Sequence, residues 1–179
     1  MKKISIAHLE LRDFASLAEH DRIVIGRREW VAIPAIGVPA IDAKIDTGAR
    51  TSSLHAENIA TFSPDGTSER WVRFECFPLR GRSDVVIQCE ARVHDEREVR
   101  SSNGESETRL IIKQTLKHGP LEWDVEISLT SRDKMRHRML LGRTAISERF
   151  VVDTGHLHLW GTLSAKKHYS AQPKTDNRS

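Results

Sequence analysis

The chain has 179 residues, 38% hydrophobic and 30% charged, with a formal net charge of +3. That length fits one domain with a sizeable core, and the apolar content excludes a chain disordered throughout. The mild positive balance suits acidic partners without requiring nucleic acid, and the two cysteines, Cys76 and Cys89, are too few for a disulfide framework.

Residues 1–21 carry Ile6, Leu9, Leu11, Phe14 and Leu17 at rough helical spacing and read as an amphipathic appendage. Charge close to Met1 and the lack of a long apolar run predict neither signal peptide nor membrane span, hence a cytoplasmic protein. From Arg22 the texture becomes β. Ile23-Val24-Ile25 and Trp30–Ile33 flank Gly26-Arg27 and suggest a hairpin, and Gly37-Val38-Pro39 separates it from a strand entering Asp46.

Further strands are expected at Thr51–His55, Trp71–Phe77, Val85–Val93, Thr108–Lys117 and Leu121–Leu129. Turn signals fall between them at Pro64-Asp65-Gly66, Gly81-Arg82-Ser83, Ser102-Asn103-Gly104 and Gly119-Pro120. Thr144–Arg149 reads as a short helix. Both cysteines lie in β runs as buried or half-buried thiols, and Trp30, Trp71 and Trp123 as packing residues. The domain proper spans 22–160, mostly antiparallel and barrel-like, and 161–179 is a polar, disordered tail.

The chemistry concentrates in Ala43-Lys44-Ile45-Asp46-Thr47-Gly48-Ala49 and, far downstream, Met139-Leu140-Leu141-Gly142-Arg143. A pair of carboxylates can hydrolyse a peptide bond without a metal or cofactor. Two like charges about 3 Å apart share one proton, so one member activates water while the other polarises the carbonyl. Asp46 is the candidate carboxylate. Thr47 is expected to brace the loop against a twin, and Gly48 to let the backbone turn tightly. Leu141 packs beneath the loop, Gly142 leaves room beside it, and Lys44 is assigned to the outer strand face as a solvated lysine in preference to a role in tuning the Asp46 pKa.

These residues resemble the bacterial and archaeal retropepsin-like proteins long labelled ATP-dependent zinc proteases. Segments 43–56, 99–104 and 132–145 carry the resemblance, within a match from about Val24 to Asp153. It implies a mainly β fold, a closed antiparallel β-barrel of the retropepsin-like acid protease type, with one short helix after Leu-Leu-Gly. It further implies an active site shared across a homodimer, a peptide or protein substrate, and association with ATP-grasp glutamate ligases.

One departure from viral retropepsins matters. Their Asp-Thr-Gly-Ala-Asp-Asp continues with acids, one of which pairs with the arginine of the Gly-Arg segment. Here Arg50 and Thr51 follow Ala49, so Arg143 must find another acceptor. Arginine binds carboxylates in a bidentate fork, so Arg50 and Arg143 predict a cleft favouring acidic or glutamate-rich peptides.

Other candidates are weaker. Asp153-Thr154-Gly155 repeats the tripeptide, but the polar remainder cannot build a second lobe, so Asp153 is read as a strand cap. No His-Glu-x-x-His or Cys-x-x-Cys occurs, and His55, His94, Asp95, His156 and His158 form a metal site only if the fold gathers them, so none is assigned. Ser102-Asn103-Gly104 is a candidate flap tip. The basic run Arg132–Arg138 lacks interleaved aromatics and is read as a solvated turn. The alternative to an aspartic endopeptidase is a non-catalytic module with the same fold that holds acidic protein tails.

Overall fold

The computed structural model describes residues 22–100, 104, 106–163 and 165–169. The appendage at 1–21 and the flap residues Ser102 and Asn103 therefore lie outside the described residues. The strands are β1 (Ile23–Gly26), β2 (Arg28–Ile33), β3 (Val38–Ile45), β4 (Ser52–Phe62), β5 (Trp71–Cys76), β6 (Ile87–Arg100), β7 (Ser106–His118), β8 (Leu121–Thr130), β9 (Met139–Leu141) and β10 (Phe150–Asp153). Two short helices follow late in the chain, α1 (Arg143–Ile146) and α2 (Ala165–Tyr169). The fold is mainly β.

The main sheet runs β2-β3-β9-β4-β5-β6-β7-β8, and added pairings of β2 with β7 and β4 with β8 turn it back on itself. The pairing is not antiparallel throughout. Short β9 is inserted between β3 and β4, parallel to the first and antiparallel to the second, and β4 also runs parallel to β8. A strand slotted between two others that run in opposite directions must be parallel to one of them.

The expected hairpin at Gly26-Arg27 does not form. β1 instead pairs in parallel with β10, while β2 pairs with β3. A buried acid, Glu29, 1% exposed, braces this arrangement. Its carboxylate accepts from the backbone N–H of Gly26 (2.7 Å), Leu159 (3.0 Å) and Trp160 (3.3 Å). Three donors satisfy a charge that burial would otherwise penalise, and they tie the chain after β10 to the β1–β2 turn. A Cβ on Gly26 would stand 2.9 Å from the His156 carbonyl oxygen, so only glycine permits this approach.

Alternating apolar residues build one core. β2 buries Val31 and Ile33, β5 buries Val72, Phe74 and Cys76, and β8 buries Trp123, Val125, Ile127 and Leu129. Cys76 and Cys89 are buried free thiols, and the neighbouring Cys89, followed by burial, pushes the Cys76 thiol well up. Part of the expected tail also belongs to this core. Tyr169 is buried, and its hydroxyl accepts from the Ala40 N–H (3.3 Å) and donates to the Ala40 carbonyl. One aromatic in a polar run is enough to anchor α2. No helix among the described residues is long and apolar enough to cross a membrane.

Candidate active site

β3 ends at buried Ile45, and the chain then turns through Asp46-Thr47-Gly48-Ala49. β9 holds this turn from below. Ile45 lies opposite Leu141 in the parallel pairing, and the Asp46 N–H donates to the Leu141 carbonyl at 2.9 Å. On the far side, the Arg143 N–H donates to Ala49 O (2.9 Å) and the Thr144 N–H to Arg50 O (3.1 Å). Loop and support thus share a continuous set of backbone bonds.

Gly142 sits where the two segments touch. Its N–H donates to Ser52 Oγ at 3.2 Å, and a Cβ there would stand 2.7 Å from both the Arg50 carbonyl oxygen and the Thr51 carbonyl carbon. The Arg143 side chain supplies the acceptor that the sequence demanded. Its guanidinium donates to the Thr47 carbonyl (3.0 Å) and the Gly48 carbonyl (2.9 Å), pinning the loop backbone in place of an acidic partner.

The two Asp46 oxygens have different surroundings. Oδ1 accepts the N–H groups of Gly48 (3.1 Å) and Ala49 (3.3 Å), whereas Oδ2 meets Lys44 Nζ at 3.0 Å. Partial desolvation pushes the carboxyl upward, but Lys44 and the two amides outweigh it and hold Asp46 below the usual carboxylate range. Lys44 is therefore an ion-pair partner rather than a free solvated side chain. The signal was available, since residues two apart on an extended run share a face.

Arg132 is a second residue that the sequence did not single out. Half-buried, it donates from Nε to His137 O (3.0 Å) and from a terminal nitrogen to Ser53 Oγ (3.0 Å), and its guanidinium is close enough to feel the Asp46 charge. Nothing in the basic run 132–138 distinguishes it in the sequence. Beside Lys44, a groove of about 200 Å³ is lined by Arg27, Arg28, Arg136 and His137. On the loop's other flank, exposed Arg50 lines a cavity of about 430 Å³ together with two ion pairs, Arg97–Glu126 and Lys113–Asp124. Thr47 is exposed.

The remaining candidates stand elsewhere. Gly104 has φ 86, suited to a hairpin tip. Asp153 closes its own turn at the end of β10, accepting the Gly155 N–H at 2.8 Å and pairing with His156 at 2.8 Å. The histidines are dispersed: His158 pairs with Asp42 and His94 with Glu126. His55, Glu57 and Asp133 do place ligand atoms within 4.8 Å of one another. They do not fit zinc, because His55 Nδ1 already accepts the Arg132 N–H (2.8 Å) and exposed Asp133 faces Arg138 (3.2 Å).

Fold and site together define a mainly β protein of the aspartic-protease type, organised around an Asp-Thr-Gly loop gripped by a Gly-Arg turn. A family model described as "RimB-like: Retropepsin-like aspartic endopeptidase RimB" matches residues 24–159, and the chain belongs to that family. Among curated relatives, a "Probable alpha-L-glutamate ligase" of Shewanella pealeana is 49% identical over 133 residues, covering 74% of this chain and 29% of that protein. One of the same name from Desulfotalea psychrophila is 43% identical over 155 residues, covering 87% of this chain and 33% of its own length. The chain thus spans about a third of those relatives. A solved structure, Lpg0085 (DUF785) from Legionella pneumophila, of unknown function, superposes with a TM-score of 0.63 at 23% identity. It covers 76% of this chain and 96% of that one, a likeness of fold.

Proposed function

We propose that the protein is an aspartic endopeptidase whose dyad forms when two copies bring their Asp46 loops together, the ring of strand pairings acting as the closed barrel that supports it. The observation carrying this reading is the immobilised loop. Asp46 is held by backbone bonds from Leu141, Gly48 and Ala49, and the loop carbonyls by Arg143. Such fixed placement is what a water-activating carboxylate requires. Thr47 and Gly48 shape the loop, Ala49, Leu141, Gly142 and Arg143 support it, and the β6–β7 tip serves as the flap. No cofactor enters the reaction.

The substrate class in this reading is acidic or glutamate-rich peptide. Lys44 pairs with Asp46, Arg132 is close enough to feel its charge, exposed Arg50 follows the loop, and the groove beside Lys44 adds Arg27, Arg136 and Arg28, the last paired with Asp42. Relatives named as glutamate ligases, matched over about a third of their length, support a functional link to an ATP-grasp glutamate ligase. The cytoplasm is the expected location.

Digestion of a peptide library by wild type, Asp46→Asn and Arg50→Asp tests the proposal. Asp46→Asn should abolish cleavage, and Arg50→Asp should weaken the preference for acidic peptides. Cleavage that survives Asp46→Asn ends the aspartic reading, and an unchanged preference in Arg50→Asp ends the assigned role of Arg50. The second reading, a non-catalytic module holding acidic tails, is favoured by the Lys44 ammonium on the outer oxygen of Asp46. A strictly monomeric solution mass with tight binding of acidic peptides and no cleavage would establish it.

A further inference from the structure

Lys44 and Asp46 leave one strand face together, and the ammonium lies on Oδ2, the oxygen not engaged by the loop amides. Oδ1 is thus left to the loop backbone and Oδ2 to the ammonium. Among the described residues, most charged groups near the pair are cationic or basic, with Asp42 paired to the nearby Arg28. Arg132 comes from the segment after β8, Arg143 from α1 grips the adjacent loop carbonyls, and exposed Arg50 follows the loop. Facing Lys44 is His137, whose basicity burial lowers, with Arg28, Arg136 and Lys44 adding to the effect. Behind Arg132 stands Arg109, paired with Glu107.

Two bare carboxylates in contact keep their shared proton only in acid, the macroscopic steps of the pepsin pair lying near about 1.5 and 4.7. Two Asp46 carboxylates that each carry a lysine form a different cluster, electrically neutral without any shared proton. We propose that Lys44 is a positioning residue of the paired-Asp site, its ammonium standing in for the proton that bare carboxylates must share. The inference rests on the dyad reading above.

Proton bookkeeping closes on this basis. Water adds its oxygen to the scissile carbonyl carbon while one Asp46 takes the proton released. The Lys44 ammonium stays protonated throughout and keeps its hydrogen bond to Asp46 Oδ2. The C–N bond then breaks, and the proton held by Asp46 passes to the leaving amine. The carboxylate and ammonium finish as they began.

The test compares kcat/KM against pH for wild type, Lys44→Met and Lys44→Arg on one acidic peptide. In parallel, the Asp46 carboxyl is titrated by carbon-13 NMR, its resonance identified by its loss in Asp46→Asn. Wild type and Lys44→Arg should work at neutral pH. Lys44→Met should be confined to below about pH 5, where a bare pair keeps its proton, and its Asp46 titration midpoint should rise. Identical pH profiles in wild type and Lys44→Met, or an unmoved Asp46 midpoint, would overturn the inference. If wild type cuts no peptide, the dyad reading fails separately, while the carboxyl titration still judges whether Lys44 sets the Asp46 charge.

Discussion

Gly142 shows how narrowly one position can be constrained without unusual backbone torsions. Its φ of −82 is open to any residue, so the demand for glycine comes from space alone. A methyl there would stand 2.7 Å from a carbonyl oxygen and a carbonyl carbon of the 50–51 segment, and backbone atoms bound into β4 and the loop cannot swing aside as a long side chain would. Gly142→Ala should therefore cost about 1–3 kcal/mol of stability by overpacking. A thermal melt should show a drop of several degrees, and an unchanged melting temperature would contradict the packing described. Arg143 carries a related lesson. The sequence established that it lacked its usual acid, but that its partners would be the Thr47 and Gly48 carbonyls needed the folded loop. Lys44 is exposed where strand periodicity put it, and its ion pair with Asp46 needed the turn after β3 to bring the carboxylate back to it.

At the level of elements, the long β runs were readable because alternation and turn residues agreed. Trp71–Cys76, Ser106–His118 and Leu121–Thr130 fall close to where the pattern put them. β6 extends well past the expected Val93 to Arg100, because hydrogen bonding to β7 sustains a pair whose outer side chains are polar and give no apolar signal. Partner choice was less legible than strand position. Ile23–Gly26 looks like half of a hairpin, yet its partner is Phe150–Asp153. The residue bracing this arrangement is Glu29, and no local pattern announces that an acid in a β run will be buried beneath three backbone donors. The metal question likewise depended on placement, which scattered His94, His156 and His158 among separate acids.

For the whole molecule, acid response follows from three histidines. Burial comes first for each, and nearby arginines add to it: Arg138 for His55, Arg28 for His158, and Arg28 with Arg136 for His137. All three are shifted downward, so the folded state prefers them neutral. The unfolded chain, with histidines near about 6.5, binds protons first as the pH falls. Their contribution is intact above that pH and is lost as the pH drops through the depressed folded values. Carboxylates held low by cations, such as Glu126 beside Arg97, lose their contribution only further into acid. Thermal melts should therefore show a midpoint that starts to fall as the pH drops below about 6.5 and falls again below about pH 4. A midpoint constant from neutral pH down to about 5 would contradict the histidine assignments.

The insertion of β9 between β3 and β4 also has a consequence in time. A chain emerging from the ribosome exposes β3, the Asp46 turn and β4 long before Met139–Arg143 exists to brace them. The carboxylate then belongs to an open loop, and its geometry is completed only once β9 has been made and inserted. A nascent or truncated chain ending before β9 carries Asp46 without the frame that holds it. The placement of Asp46 therefore waits on assembly of the whole ring of strands.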